Sequence, residues 1–282
     1  MIKKYFYLFI TFFCTFGFSK NILSYTSSRH CYGANPNNVI IYWDIHDTLL
    51  DPCSEFYTLK RKLRGKLTGN LLKNIFTFRW TGCLTGIKLC LDAKKRNAGG
   101  AYTENQLLLK ASEYREKAEK TPKNRKQKKY LKFANQLESY AEIIGQFETS
   151  FELKSGIMPF LNTLKRIGYK QHFVASNISN TKYPLLKAKL PMIFNDTMIK
   201  DGVTVDVEGR YPFVQKPDHM FFKKMHKLAN PNYDKIVVFI DDKIENVIAA
   251  RKCNMIGIHF KSIRQLTKEL NAIGIFMPIT HR

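Results

Sequence analysis

The segment VIIYWDIHDTLL, residues 39–50, decides the fold of this 282-residue chain. Its first five residues are apolar and include β-branched and aromatic side chains, a run that predicts a buried strand. The run ends at Asp44. The sequence therefore predicts a carboxylate placed directly after a buried strand.

The same arrangement returns after residue 151, where short apolar runs alternate with segments of helical period. Helices are predicted at 158–167, 217–228, 245–253 and 262–270, and strands at 172–175, 236–240 and 256–260. This alternation predicts an α/β fold whose parallel sheet is covered by helices on both faces. Ligands of such sheets bind beyond the carboxyl ends of the strands. The residues that follow the predicted strands are Asp44, Ser176, Asn177, Asp241 and Asp242, and we expect them to share one pocket.

Residues 52–150 differ from the rest of the chain in residue composition and hydrophobic periodicity. They contain few β-branched clusters and long stretches of helical period, at 107–118 and 130–147, which a loop at Pro122 is expected to join. They also carry about half of the net charge of +23. We interpret them as an inserted, all-helical segment with solvated basic faces.

The first 19 residues are typical of a secretory signal peptide. Lys3 and Lys4 precede an apolar run, 5–18, that is shorter than the roughly 20 residues needed to span a bilayer. We expect cleavage near Ser19-Lys20, export to the periplasm or the medium, and no stable membrane span afterwards. Tethering by an uncleaved N-terminus is the alternative.

The cysteines and the net charge bear on two further questions: the state of the thiols and the kind of partner that the protein binds. Five cysteines follow the leader, an odd number without paired metal spacing, and free thiols are the favoured interpretation; they are Cys31, Cys53, Cys83, Cys90 and Cys253. The excess of 46 basic over 23 acidic residues favours anionic partners. Because no nucleic-acid-binding motif accompanies the charge, we expect a small phosphorylated substrate, no specific nucleic acid, and a monomer.

The residue types at the strand ends point to phosphoryl transfer. Crowded carboxylates repel one another unless a cation compensates them, and Mg2+ prefers such oxygen ligands. A carboxylate such as Asp44 can also act as a covalent nucleophile that forms an aspartyl phosphate. Lys216 would supply positive charge to the transferred group, and the hydroxyl of Ser176 would donate to a phosphate oxygen.

These residues lie in four segments that together resemble the haloacid dehalogenase superfamily, in the branch with a helical cap inserted after the first motif. The first segment, DIHDTL (44–49), is similar to the motif whose leading Asp is the nucleophile. VASN (174–177) resembles the second motif, KPDHMF (216–221) the third, and FIDDKIENVIAA (239–250) the fourth, which is the nearest match.

The resemblance implies a domain plan and a metal site. The expected parts are a signal peptide (1–19), a linker (20–37), a Rossmann-like parallel-sheet core (38–51 and 151–272), a helical cap (52–150) and a tail (273–282). Expected Mg2+ ligands are the carboxylates of Asp44 and Asp242 and the main chain of His46, with Asp241 beside them. Ser176, Asn177 and Lys216 are the expected phosphate-binding residues.

His46 is the main departure from the family pattern, because phosphatases of the family carry a second Asp at that position as the general acid and base. Three interpretations stay open. Imidazole titrates near neutrality, so His46 can itself move the proton in a Mg2+-dependent phosphatase, with Asp44, His46 and Lys216 as catalytic residues. The site can instead be degenerate and bind a phosphorylated ligand without turnover. Lastly, the dehalogenase branch lacks this Asp and needs no metal. The first interpretation is the leading one.

Overall fold

The computed structural model describes residues 35–63, 65, 99–122, 125–147, 149–206 and 214–277, without the side chains of 99–103, 105 and 106. The predicted signal peptide and Cys31, Cys83 and Cys90 lie outside these residues. The strands are β1 Val39–Trp43, β2 Leu50–Pro52, β3 Phe151–Leu153, β4 Gln171–Ser179, β5 Lys200–Val205, β6 Ile236–Asp241 and β7 Ile256–His259. The helices are α1 Gly99–Glu119, α2 Arg125–Phe147, α3 Ile157–Arg166, α4 Tyr183–Lys189, α5 His219–Ala229, α6 Ile244–Lys252 and α7 Ile263–Ala272. Residues 54–63 are also helical.

Five of the strands form one parallel sheet in the order β5-β4-β1-β6-β7. The predicted α/β class with a parallel sheet is therefore confirmed. β1 is the central strand, and the chain builds the sheet outward first on one side of it and then on the other. The carboxyl end of β1 thus lies at the point where the strand order reverses, which is where open α/β sheets bind ligands.

β1 is apolar throughout because both faces of the sheet are covered. Val39, Ile41 and Trp43 pack into one core with side chains of α3 and α7, whereas Ile40 and Tyr42 pack into a second core with α5. All five residues are fully buried. A strand that is covered on both faces is a continuous apolar run in the sequence, which explains why this strand could be predicted from the sequence.

Several predicted boundaries were wrong. β4 does not end at Ala175 but continues to Ser179, so Ser176 and Asn177 belong to the strand. The helix predicted from Pro217 begins at His219, because Asp218 is its N-cap and accepts a hydrogen bond from the backbone N–H of Met220 at 2.9 Å. β5 and α4 were not predicted at all.

The inserted residues begin and end in a short antiparallel pair. β2 pairs with β3 in the register Leu50 to Leu153 and Pro52 to Phe151, so the chain leaves the core and returns to it at one place. Between them, α1 and α2 pack through a small core that includes Leu107, Ala134 and Tyr140. The turn at Pro122 lies between these helices, as predicted.

Among the described residues, no helix is both long and apolar enough to cross a membrane. Cys53 and Cys253 are free thiols, as expected for those two positions.

Candidate active site

The site is built where the neighbouring strands β1 and β6 end. Asp44 follows the central strand β1, and its backbone N–H donates to the carbonyl of Ile240 on β6 at 2.9 Å. Asp241 is the last residue of β6 and Asp242 follows it. Oxygens of the three aspartates all lie within 4.8 Å of one another. The structure thus brings together the three carboxylates that the sequence predicted to share a pocket.

Lys216 is buried among these carboxylates. It lies between β5 and α5 in the chain and is only 1% exposed. Its ammonium donates to Asp44 Oδ1 at 2.7 Å, to Asp241 Oδ2 at 2.6 Å and to the carbonyl oxygen of Ala175 at 2.8 Å. A lysine has three donors, and these three acceptors use all of them. The ammonium is therefore a fixed positive charge beside the Asp44 carboxylate.

The second predicted motif supports this lysine directly. The side chain of Asn177 pairs with the backbone of Lys216, accepting from its N–H at 2.8 Å and donating to its carbonyl at 3.0 Å. Asn177 therefore fixes the segment that carries the lysine. The neighbouring Ser176 is fully buried, and its hydroxyl oxygen accepts a long, 3.4 Å hydrogen bond from the backbone N–H of Ile178. The strand register places Ser176 one residue beyond the level of Asp44 on the adjacent strand.

The two adjacent aspartates of the fourth motif have different surroundings. Both carboxylate oxygens of Asp241 accept hydrogen bonds, from Lys216, from the backbone N–H of Lys243 at 2.8 Å and from the side-chain amide of Asn246 at 2.9 and 3.1 Å. Asp242 Oδ1, by contrast, is buried and has no hydrogen-bond partner. Asp241 therefore holds Lys216 in place, whereas Asp242 has an unused acceptor within the carboxylate cluster.

The four predicted motifs thus meet at one edge of the sheet, with the nucleophile candidate on the central strand and its partners on either side. The observed fold is a parallel α/β sheet with a hydrophobic core on each face. Parallel α/β sheets carry many unrelated reactions, so the arrangement of the carboxylates, rather than the fold, bears on the chemistry.

The three carboxyl groups of the site differ in their pKa values. Burial acts to raise the pKa of Asp44, but the adjacent Lys216 ammonium outweighs it and holds that pKa below its ordinary value. Burial raises the pKa of Asp241. Burial, together with the charges of Asp44 and Asp241, raises the pKa of Asp242 to about 7. The carboxylates of Asp241 and Asp44 in turn keep the pKa of Lys216 raised despite its burial. Asp44 is therefore ionised at neutral pH, whereas Asp242 is the carboxyl group whose pKa is raised toward neutrality.

His46 lies two residues beyond Asp44 and is half-buried. Its positive form is one of the causes that lower the pKa of Asp44. The imidazole packs on the ring of Phe151, with 4.2 Å between the ring centroids and 48° between the ring planes. The next residue, Asp47, has a φ of 61°, in the left-handed region that favours glycine. Asn254, which follows α6, likewise has a positive φ, of 64°.

Two polar residues of the site were not predicted. Asn246 is buried, donates to Asp241 and leaves its own side-chain oxygen without a partner. Thr48 is fully buried and its hydroxyl has no partner either. The signal for Asn246 is its place in the first turn of α6, the helix that directly follows the two aspartates. Thr48 gives no such signal, because a single hydroxyl in a turn is common.

Comparison with known proteins adds little to this description. No protein-family model and no curated protein matches the chain. One solved structure that it is similar to is the L-2-haloacid dehalogenase from Xanthobacter autotrophicus with chloropropionic acid covalently bound. The two share 14% identity over 86% of this chain and 84% of that one, with a TM-score of 0.40. A likeness this distant carries no argument about substrate or metal.

Proposed function

We propose that this chain is a Mg2+-dependent phosphatase that transfers the phosphoryl group of a small phosphate ester to Asp44 and then to water. The observation that carries the proposal is the buried Asp44 carboxylate, which Lys216 keeps ionised at 2.7 Å and which shares a cluster with two further carboxylates. A carboxylate in such a place is a nucleophile available at neutral pH.

The cluster fits a divalent cation. Asp242 Oδ1 is a buried acceptor without a partner, and burial together with the negative charges of Asp44 and Asp241 raises the pKa of Asp242. Asp44, Asp242 and the main-chain carbonyl of His46 would hold Mg2+, which takes few protein carboxylates and keeps water and phosphate ligands. Asp241 lies in the same cluster, but its oxygens already accept from Lys216 and Asn246. Bound there, the ion would supply charge neutralisation for the phosphate oxygens.

The residues of the chain account for both halves of the reaction. An Asp44 oxygen attacks phosphorus, the bond from phosphorus to the ester oxygen breaks, and that oxygen leaves with the electron pair and takes a proton from the His46 imidazolium. Neutral His46 then accepts a proton from water as the water oxygen attacks phosphorus, and the bond to Asp44 breaks to release inorganic phosphate. The Lys216 ammonium and the Ser176 hydroxyl stabilise the phosphoryl oxygens.

A degenerate phosphate binder is the second candidate, and the His46 substitution is the observation that favours it. The two functions differ in turnover. We would assay purified residues 20–282 for phosphate release from a panel of phosphate esters, with Mg2+ and with a chelator, and compare wild type with His46→Asp and His46→Ala.

The outcomes separate the candidates. The proposed phosphatase releases phosphate only with Mg2+, and His46→Ala loses roughly 10²–10⁴-fold in rate, the usual contribution of a positioned proton donor. A wild type that is inactive beside an active His46→Asp identifies a degenerate binder. Halide release from 2-haloacids in the presence of the chelator would instead identify a dehalogenase.

We further propose that the protein is exported and that its leader is removed near Ser19. The support is the basic head and short apolar run of the first 19 residues. N-terminal sequencing of the protein from its native host tests the proposal, and recovery of intact Met1 from the cytosol contradicts it.

A further inference from the structure

A cluster of aromatic rings lies beside His46 at the place where the inserted residues join the core. The imidazole packs on Phe151, which is 7% exposed, with ring centroids 4.2 Å apart. Phe56 packs on Phe151 at 5.3 Å and on Phe147 at 5.2 Å between centroids. The three phenylalanines come from the beginning and the end of the insertion. His46 is thus in contact with a ring cluster that both ends of the insertion build.

The backbone ties the same parts together. His46 forms an isolated β-bridge with Leu50, which is the first residue of β2. β2 pairs with β3, and that pairing sets Phe151 opposite Pro52. The ring of Phe151 is therefore carried by a strand whose position relative to the turn of His46 is fixed by hydrogen bonds. The ring contact is a consequence of strand register, not of a mobile surface side chain.

A general acid needs such a support. An imidazole turns about two side-chain bonds, and a half-buried one has room for several rotamers. Proton transfer requires the nitrogen within hydrogen-bond reach of the substrate oxygen, and a displacement of 1 Å costs about 10²-fold in rate. A large apolar ring packed beside the imidazole, 4.2 Å away between centroids, restricts its rotamers without competing for its nitrogens.

We propose that Phe151 is a positioning residue that holds the His46 imidazole in the orientation from which it exchanges protons with the substrate. The inference rests on the proposed phosphatase function. The ring of Phe151 acts through His46 and does not itself touch the reacting atoms.

The experiment measures kcat and KM with Mg2+ and an ester that wild type hydrolyses, for wild type, Phe151→Leu and Phe151→Tyr. We expect Phe151→Leu to lower kcat by about 10- to 100-fold with KM changed less than about threefold, since orientation rather than binding is lost. Phe151→Tyr keeps the ring and recovers most of the loss. Phe56→Leu is the matched control, because it removes a ring from the same cluster while the pair of His46 and Phe151 stays, and its kcat should remain near that of wild type.

The same two Phe151 variants made in the His46→Asp background test whether the effect passes through the imidazole. An aspartate does not stack on a ring, so Phe151→Leu should cost less than about twofold there, and the two substitutions should be strongly non-additive. Equal losses in both backgrounds, or an unchanged kcat in the single variant, overturn the positioning role while the phosphatase function stands. An inactive wild type overturns the proposed function and the inference with it.

Discussion

Replacing Lys216 with Met tests whether this lysine is the counter-charge of the site. Its ammonium is 1% exposed and donates at 2.6–2.8 Å to two carboxylates and one carbonyl. Methionine fills nearly the same volume and removes the charge together with three donors. Asp44 and Asp241 would then face each other without compensation.

The magnitude follows from burial. Breaking a buried ion pair by removing one partner costs about 3–5 kcal/mol, because an unpaired charge is left in a low-dielectric site. In a protein of this size, 1 kcal/mol shifts the melting temperature by about 2–4 °C, so the expected decrease is about 6–20 °C. Part of the loss should return with millimolar Mg2+, since the ion restores positive charge to Asp44. The loss should also shrink as the pH falls, because protonation relieves the unpaired carboxylates of the variant.

Urea unfolding at pH 7.5 followed by circular dichroism, with and without Mg2+, measures the free energy of unfolding. Lys224→Met is the matched control, since Lys224 is exposed on α5, and it should stay within about 0.5 kcal/mol of wild type. A loss below about 1 kcal/mol for Lys216→Met would refute the reasoning, because an ion pair worth so little behaves as a solvated one.

Three further substitutions probe the nucleophile, the metal site and the insertion. Asp44→Asn should abolish phosphate release while leaving the circular dichroism spectrum unchanged, and substantial residual turnover would mean that another residue attacks. The pKa of Asp242 in the metal-free fold, about 7, lies above its unfolded value, so its contribution to stability is lost as pH rises from about 4 to about 7. Asp242→Asn should therefore gain stability relative to wild type over that range in chelator and lose at least about tenfold in Mg2+ affinity, and parallel pH profiles would exclude this assignment. A Cβ at Gly145 would lie 2.3 Å from Glu104 Oε1, and Glu104 pairs with Lys182 of the core at 2.7 Å. Gly145→Ala should therefore stabilise the protein by about 0.5–1 kcal/mol, the helix-propensity gain, only in a Glu104→Ala background, and an equal gain in wild type would show that the space is not needed.

The central part of the fold was predictable because strands that are buried on both faces appear in the sequence as continuous apolar runs. β1 and β6 are apolar runs that end in carboxylates, and both were found. β5 was missed because an edge strand that is half-exposed keeps polar residues such as Lys200 and Asp201. In β5, a Cβ at Gly202 would lie 1.8 Å from the carbonyl oxygen of Val174. A pattern in a single sequence cannot predict so close a backbone approach.

The membership of the site was also predictable, but the roles within it were not. Strand ends and residue order placed Asp44, Lys216, Asp241 and Asp242 together. Which of the two adjacent aspartates is saturated depends on distances to Lys216 and to Asn246, and a sequence contains no distances. The contact of His46 with Phe151 depends on the register of two three-residue strands, which are too short to give a periodic signal.

The charge balance of the site is the reason for proposing a divalent cation in addition to the buried Lys216. All three donors of Lys216 are engaged by Asp44, Asp241 and a carbonyl, so its charge is already shared between two carboxylates. Asp242 has no such partner for its buried oxygen, and burial together with the charges of Asp44 and Asp241 raises its pKa to about 7. A phosphate ester brings further negative charge to the same few ångströms, and like charges so close cannot all stay ionised without compensation. In the proposed mechanism Lys216 keeps the nucleophile ionised, and a second cation compensates the charge of the substrate. The buried Asp242 oxygen, which has no hydrogen-bond partner, is the expected ligand of that cation.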